Sequence, residues 1–236
     1  MKNTWKVAVA AAALIGSASV AKADVTLSGP TGLFLNPTAQ IAQKDAPEVA
    51  VDYQRYSNNG YHENDYGIVG AIQLADKLEL NGGFHHLGGA SDLNQWNIGG
   101  KYQIMSQREK GIGVAVGADY SRLTDGGGHN FDVYAAGTKA FNLNTDRAPV
   151  QGTLGVRYND NDGGNSKVDV FAGVAVPLTR TGEFSLIGEL GTARVDHGDS
   201  EYALGVRYHP QGSAFNVGAG LARHTLFLQA GYQFGR

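Results

Sequence analysis

The sequence predicts an all-β protein, a transmembrane antiparallel β-barrel of about twelve strands that follows a cleaved signal peptide. Three observations predict it. From Pro47 onward, apolar residues fall on alternate positions in segments of about ten residues, the roughly 9–11 that a tilted strand needs to cross a bilayer and more than the usual strand of a soluble domain. The segments number about twelve, an even count that lets the last pair with the first and leave no sheet edge. The opposite parity is mostly Gly, Ala, Ser, Asn and Gln, whereas a secreted soluble sandwich or lipocalin-like barrel, with its apolar face inside, would carry a well-charged outer face.

Residues 1–23, MKNTWKVAVAAAALIGSASVAKA, place Lys2 and Lys6 ahead of an apolar run from Val7 to Val20 and end in Ala21-Lys22-Ala23. That is the pattern of a secretory signal peptide with an A-x-A cleavage site. The run is shorter than the ~20 residues of a membrane-spanning helix, and no later segment approaches that length. Export of the 213 residues from Asp24 to Arg236 is therefore expected. Without Lys2, Lys6 and Lys22, 16 basic side chains face 22 acidic ones, a formal charge of −6 that argues against a nucleic-acid partner. Cysteine is absent, so neither a disulfide scaffold nor a thiolate metal site is available.

Residues 24–46, DVTLSGPTGLFLNPTAQIAQKDA, form a second unit. Pro30 and Pro37, with Pro47 just after, exclude a central strand or a long helix, yet Leu33, Phe34 and Leu35 are too apolar for a solvated linker. The segment is expected to plug the barrel from the periplasmic side or to pack across its mouth.

Residues 47–236 supply the barrel. The first strand carries Val49, Val51 and Tyr53, the second Tyr66, Ile68, Ile72 and Leu74, the third Leu78, Leu80 and Phe84, and the fourth Trp96, Ile98, Tyr102 and Ile104. Ile112 to Tyr120, Phe131 to Ala135, Leu154 to Tyr158 and Val168 to Val176 continue the alternation, followed by Phe184 to Leu190, Tyr202 to Tyr208 and Phe215 to Leu221. The twelfth is Leu226, Leu228, Ala230, Tyr232 and Phe234, and its closing aromatics resemble the signal read by the barrel assembly machinery, with Gly235 and Arg236 as a departure from it. Aromatics near segment ends, such as Tyr66, Trp96, Tyr120, Tyr158, Phe184 and Tyr208, are expected to form girdles against outer-membrane lipid and lipopolysaccharide.

The connections alternate in kind. SNNGYHEND, LGGASDLN, TDGGGHN, NDNDGGNS and VDHGDS are rich in Gly, Asn, Asp and His and are assigned to the cell exterior. SQREKG, NLNTDRAP, LTRTGE and HPQGS are more basic and are assigned to the periplasm. His62, His85, His86, His129, His197 and His224 then lie at the exterior end and His209 at the other; two readings stand, that polar loops simply collect histidines, or that Asp- and His-rich loops take up a divalent cation or change charge between pH 5 and 8.

The inward parity carries the ionisable groups that would line a lumen: Asp52, Glu79, Asp119, Asp132, Asp169, Glu183, Glu189 and Glu201, against Lys101, Arg157 and Arg207. Small inward residues, among them Gly99, Gly117, Gly173, Gly205 and Gly218, add room, and a barrel of more than eight strands is wider than side chains alone fill. Two readings follow: a small channel with mild cation preference and ions or saccharides as solutes, or a closed barrel with a structural or surface-interaction role. No catalytic or cofactor motif is present. No histidine is followed two positions later by serine, as the twelve-stranded outer-membrane phospholipase requires, and adjacent Asp196 and His197 on a turn would not face each other as a dyad.

The stretch Thr31-Gly32-Leu33-Phe34-Leu35-Asn36-Pro37-Thr38-Ala39, followed by a strand ending in Tyr53 and Tyr56, resembles the start of the YjbH-like outer-membrane proteins associated with exopolysaccharide production. The resemblance covers about thirty residues. It implies an outer-membrane barrel with a Pro-Thr-Ala leading segment and an accessory role in polysaccharide export.

Overall fold

The computed structural model describes residues 24–58, 60–89, 92–124, 127–143, 148–162, 166–192 and 201–235. The expected signal peptide, Asp196, His197 and Arg236 lie outside the described residues. Two short strands, β1 (Asp24–Val25) and β2 (Thr31–Gly32), precede the wall. The wall is β3 (Glu48–Asn58), β4 (Tyr61–Ala75), β5 (Leu78–Leu87), β6 (Leu93–Met105), β7 (Ile112–Leu123), β8 (His129–Phe141), β9 (Val150–Asn161), β10 (Lys167–Pro177), β11 (Phe184–Gly191), β12 (Glu201–Tyr208), β13 (Phe215–Ala222) and β14 (Thr225–Gln233). One turn of helix, α1 (Gln107–Lys110), sits between β6 and β7.

Strands β3 to β14 form a closed antiparallel barrel in which each strand pairs with its sequence neighbours and β14 closes on β3. The closing register sets Leu228 opposite Tyr53 and Tyr232 opposite Val49. The ladder continues past β14, where the Phe234 N–H donates to the Pro47 carbonyl at 2.9 Å. Closure leaves every wall strand paired on both sides, as a bilayer demands of backbone that water cannot reach.

The middle of the outward face is an apolar belt, with Ile68, Val170, Leu204, Leu221 and Leu228 among its exposed members, while Arg55, Asn64, Arg122 and Lys139 face outward nearer the strand ends. The apolar side chains would be costly against water and are at home against lipid. Aromatics border this belt at both ends. Tyr53 and Tyr66 (ring centroids 5.4 Å) and Trp96 and Tyr120 (5.4 Å) lie at the exterior end, while Phe184 and Tyr208 (4.3 Å) and Phe215 and Tyr232 (4.8 Å) lie at the periplasmic end. This is the architecture of a Gram-negative outer-membrane barrel.

Three of the exterior connections are shorter than the sequence suggests. β3 and β4 run through SNNGYHEND as paired strands, with Tyr56 opposite Glu63 and Asn58 opposite Tyr61. β5 likewise extends through His85 and His86, and β9 through Asn161. Beyond the lipid belt both faces of a strand meet polar surroundings, so backbone pairing persists after the apolar alternation has ended.

Candidate functional site: an occupied lumen

The lumen holds residues 24–46. β1 and β2 pair antiparallel, with Asp24 opposite Gly32 and Val25 opposite Thr31, and the chain then turns tightly so that the Leu33 N–H reaches the Asn36 carbonyl at 3.0 Å. This small sheet is separate from the barrel ladder. The segment is held instead by wall side chains that reach its backbone.

Four of the predicted lumen residues make the principal anchors. Glu189 on β11 accepts the backbone N–H groups of Phe34 at 2.8 Å, Leu35 at 3.1 Å and Asn36 at 2.9 Å, together with the Asn36 amide at 3.0 Å. Successive N–H groups pointing at one carboxylate form an anion-binding nest. On the other side of the same turn, Arg207 on β12 donates to the carbonyls of Gly32 at 3.2 Å and Leu33 at 3.0 Å and pairs with Asp24 at 3.3 Å. Glu79 on β5 accepts the Thr31 N–H at 2.9 Å and the Ala42 N–H at 2.7 Å, and it pairs with Lys101 on β6 at 3.3 Å. Lys101 also donates to the Thr31 carbonyl at 2.7 Å and to the Thr31 hydroxyl. Both Glu79 and Lys101 are fully buried, so each charge depends on the other and on the plug for the interactions that replace water.

Further contacts hold the rest of the segment. Arg157 donates to the Asn36 side chain at 3.0 Å, Thr138 accepts the Ala39 N–H at 2.9 Å, and Gln103 donates to the Ala39 carbonyl at 2.7 Å. Asn216 bridges Asp24 at 3.2 Å and Glu48 at 2.8 Å, and Gln229 reaches the Thr26 carbonyl at 3.3 Å.

The inward glycines are recesses rather than pore. A Cβ on Gly205 or Gly218 would lie 2.7 or 2.6 Å from the Phe34 ring, and one on Gly173 would lie 2.2 Å from Leu33. Phe34 is completely buried, with Phe227 at 4.7 Å and the Arg207 guanidinium 4.6 Å from its ring centre. Leu27, Leu33, Phe34, Ile187 and Phe227 make one apolar cluster, so the barrel has a core on its axis where an open channel would have water.

The plug stands between two cavities. The periplasmic one, about 460 Å³, touches Asp24, Leu33, Thr38, Glu183, Arg207 and His209. The exterior one, about 410 Å³, has Leu27, Pro30, Phe34, Leu35 and Pro37 on its plug side and Asp65, Asn97, Asp119, Asn130, Asp132 and Tyr134 among its wall residues.

The remaining predicted lumen residues are spread along this axis. Asp52 is buried beside His85, whose Nδ1 lies 3.9 Å away. Asp119 and Asp132 face each other across β7 and β8. Asp169 is buried with Lys167 at 4.0 Å, and Glu201 is half-buried at the start of β12. The sequence places Glu183 in the wall, but Gly182, with φ +75°, turns the chain there and leaves Glu183 in the periplasmic turn before β11. Its carboxylate accepts the Gln211 N–H at 3.1 Å.

The histidines also sort differently from the sequence reading. His85 points into the lumen and is buried, because β5 continues inward-facing beyond the expected loop boundary. His129 pairs with Asp162 at 2.7 Å and His86 with Asp92 at 3.4 Å. Among the described residues no group of three or more His, Cys, Asp or Glu is placed to hold a metal ion. The inward side chains that sequence reasoning passed over are the acidic Glu48 and Asp65 and uncharged ones such as Tyr134, Thr138, Asn216 and Gln229. Their parity marks them as inward, but nothing in their composition marks them as plug contacts.

No family model and no curated protein matches the sequence. Solved structures match it in shape. The KdgM porin in complex with disordered oligogalacturonate superposes with a TM-score of 0.55 at 14% identity, over 79% of this chain and 99% of that one. The KdgM porin by itself gives 0.55 at 13% identity, over 79% and 99%. The NanC porin gives 0.54 at 12% identity, over 80% of this chain and 100% of its own. The likeness is one of fold.

Proposed function

We propose that this protein is a small outer-membrane channel held closed by its own N-terminal segment, with saccharides or ions as its cargo. The observation that carries this reading is the double clamp on one turn, Glu189 on its N–H groups and Arg207 on its carbonyls. The plug shares no β-ladder with the wall. Withdrawing it breaks side-chain anchors and leaves the barrel ladder whole.

Two features support a saccharide as cargo. The KdgM porin, with the same fold, was solved with an oligogalacturonate. The Thr31 to Ala39 stretch that resembles the YjbH-like proteins is the part of the plug held by Glu79, Lys101, Glu189 and Arg207, which supports a link to polysaccharide export. A second reading, a permanently closed barrel with a structural role, draws support from the burial of Thr31, Leu33, Phe34, Asn36 and Thr38.

Single-channel recording in a planar bilayer separates the two. The protein as it stands is expected to be silent or to open rarely, and an E189Q/R207Q variant to give steady steps. A variant that still shows the heat-dependent gel migration of a folded barrel yet stays silent would favour the permanently closed reading.

A further inference from the structure

The periplasmic foot of β7, β8 and β9 carries positive charge on the side that meets lipid. Lys139 shares the outward parity of β8 with Gly137 and Phe141, opposite Ile112 on β7 and Gly152 on β9. Among the described residues no other wall strand places a charged side chain on the outward face at this end. The position is a built one. A Cβ at position 152 would lie 3.2 Å from the Phe141 ring, so glycine there lets the ring lie close against the wall. The Lys139 ammonium sits over that ring, 5.4 Å from its centre. A cation–π contact holds the head beside an aromatic of the periplasmic belt, while the apolar stem covers the wall.

Three further cations surround the foot. Arg108 and Lys110 stand on α1, which has no buried residue and leads through Gly111 into β7. Arg180 stands in the turn between β10 and β11, where its carbonyl accepts the Ala148 N–H at 3.1 Å and ties that turn to the approach to β9. All four cations are exposed, and none forms an ion pair among the described residues. Glu109 is the one carboxylate on α1, and Glu183, near Arg180, is engaged with the Gln211 N–H. At the exterior end of the same strands the exposed charges are mixed, with Arg122 and His129 beside Asp160 and Asp162.

Apolar side chains share this foot. Leu143 is 79% exposed and Leu178 51%, beside Phe141 and Ile112. Large apolar residues directly below a lipid-facing wall, bordered by unpaired cations, mark the level where hydrocarbon gives way to headgroups. One partner fits both features, with acyl chains on the apolar residues and a phosphate on the cations. In a zwitterionic headgroup the lipid's own amine balances that phosphate, whereas an anionic headgroup leaves its charge to the protein.

We propose that the periplasmic foot of β7 to β11 binds an anionic glycerophospholipid of the inner leaflet, with Lys139 and Arg180 on the headgroup phosphate and Arg108 and Lys110 adding to the attraction. Lys139 faces away from the lumen, so this site stands whether or not the barrel conducts.

The test is native mass spectrometry of the full exported chain, folded in detergent and titrated with phosphatidylglycerol or with phosphatidylethanolamine of the same acyl chains. Each Lys or Arg near such a headgroup strengthens binding about fivefold. Phosphatidylglycerol is expected to be retained about tenfold or more better than phosphatidylethanolamine, and K139Q/R180Q to lose about tenfold or more of that retention. K139R should keep it, and R122Q, which removes an outward cation at the exterior end, should leave it unchanged. Every variant is checked for the heat-dependent gel migration of a folded barrel. Equal retention of the two lipids, indifference to K139Q/R180Q, or an equal loss in R122Q would overturn the proposal. Displacement of the bound lipid by millimolar glycerol phosphate would also overturn it, by showing a site for free phosphate instead.

Discussion

Glu189 reaches 155 positions back along the chain to accept the Phe34 N–H at 2.8 Å. E189A leaves the N–H groups of Phe34, Leu35 and Asn36 buried without their acceptor, at about 1–3 kcal/mol for each. Hydrogen exchange at these three amides is expected to accelerate by about a hundredfold or more, with the wall amides of β3 to β9 unchanged. Uniform acceleration around the barrel would mean that Glu189 supports the wall rather than the plug.

Phe34 and its glycine recess act as one fitted pair. F34A is expected to cost about 3–5 kcal/mol in plug attachment through lost burial and the cavity left behind. G218V should have a similar effect from the opposite side, because a Cβ there already lies 2.6 Å from the ring. Both variants are expected to raise the frequency of channel opening, read as open probability in bilayer recordings. If G218V stays as silent as the parent, the ring has room the structure does not give it.

The Glu79 and Lys101 pair predicts an asymmetric outcome. K101M leaves Glu79 charged and fully buried and is expected to destabilise the folded protein by about 3–5 kcal/mol in urea unfolding. K101M/E79Q should recover part of that loss, since no buried charge remains. Exchange at one of the Thr31 and Ala42 amides is expected to be fast in the double variant, because the two N–H groups bond to different Glu79 oxygens and glutamine keeps only one.

Once opened by E189Q/R207Q, the lumen still holds Asp52, Asp65, Asp119, Asp132 and Asp169 against Arg157 and Lys101. A reversal potential with the sign of cation preference is expected under a salt gradient, reduced by D119N/D132N. Anion preference would contradict the assignment of these carboxylates to the conducting path.

Leu204 tests the lipid face. It is 58% exposed at the middle of β12. L204R should cost about 2–4 kcal/mol for folding into lipid vesicles if the residue lies near the bilayer midplane. A cost near zero would place it against water.

The wall was legible because lipid and lumen impose opposite demands on neighbouring residues. Leu204 and Val206 face one way, Gly205 and Arg207 the other, and that contrast survives in the bare sequence. It fades where both faces are wet, so Ser57, Asn58, Tyr61 and His62 read as loop although they pair across β3 and β4. The plug was legible only as an apolar anomaly at Leu33, Phe34 and Leu35. Its docking was not, because the partners of Glu189, Glu79 and Arg207 are main-chain groups, which every residue possesses. Gly205 and Gly218 look like empty room until the ring that fills them is known.

The distances along the chain between plug and wall bear on the order of events during assembly. Asp24 bonds to Arg207 and Asn216, 183 and 192 residues away, and Thr26 to Gln229 at 203. Docking of the first described residues cannot finish until the final strand has been delivered. Contacts of such range are slow to form, so the plug, which precedes every strand of the wall, waits for partners on β12 to β14, and the β13–β14 hairpin completes the wall and the stopper together.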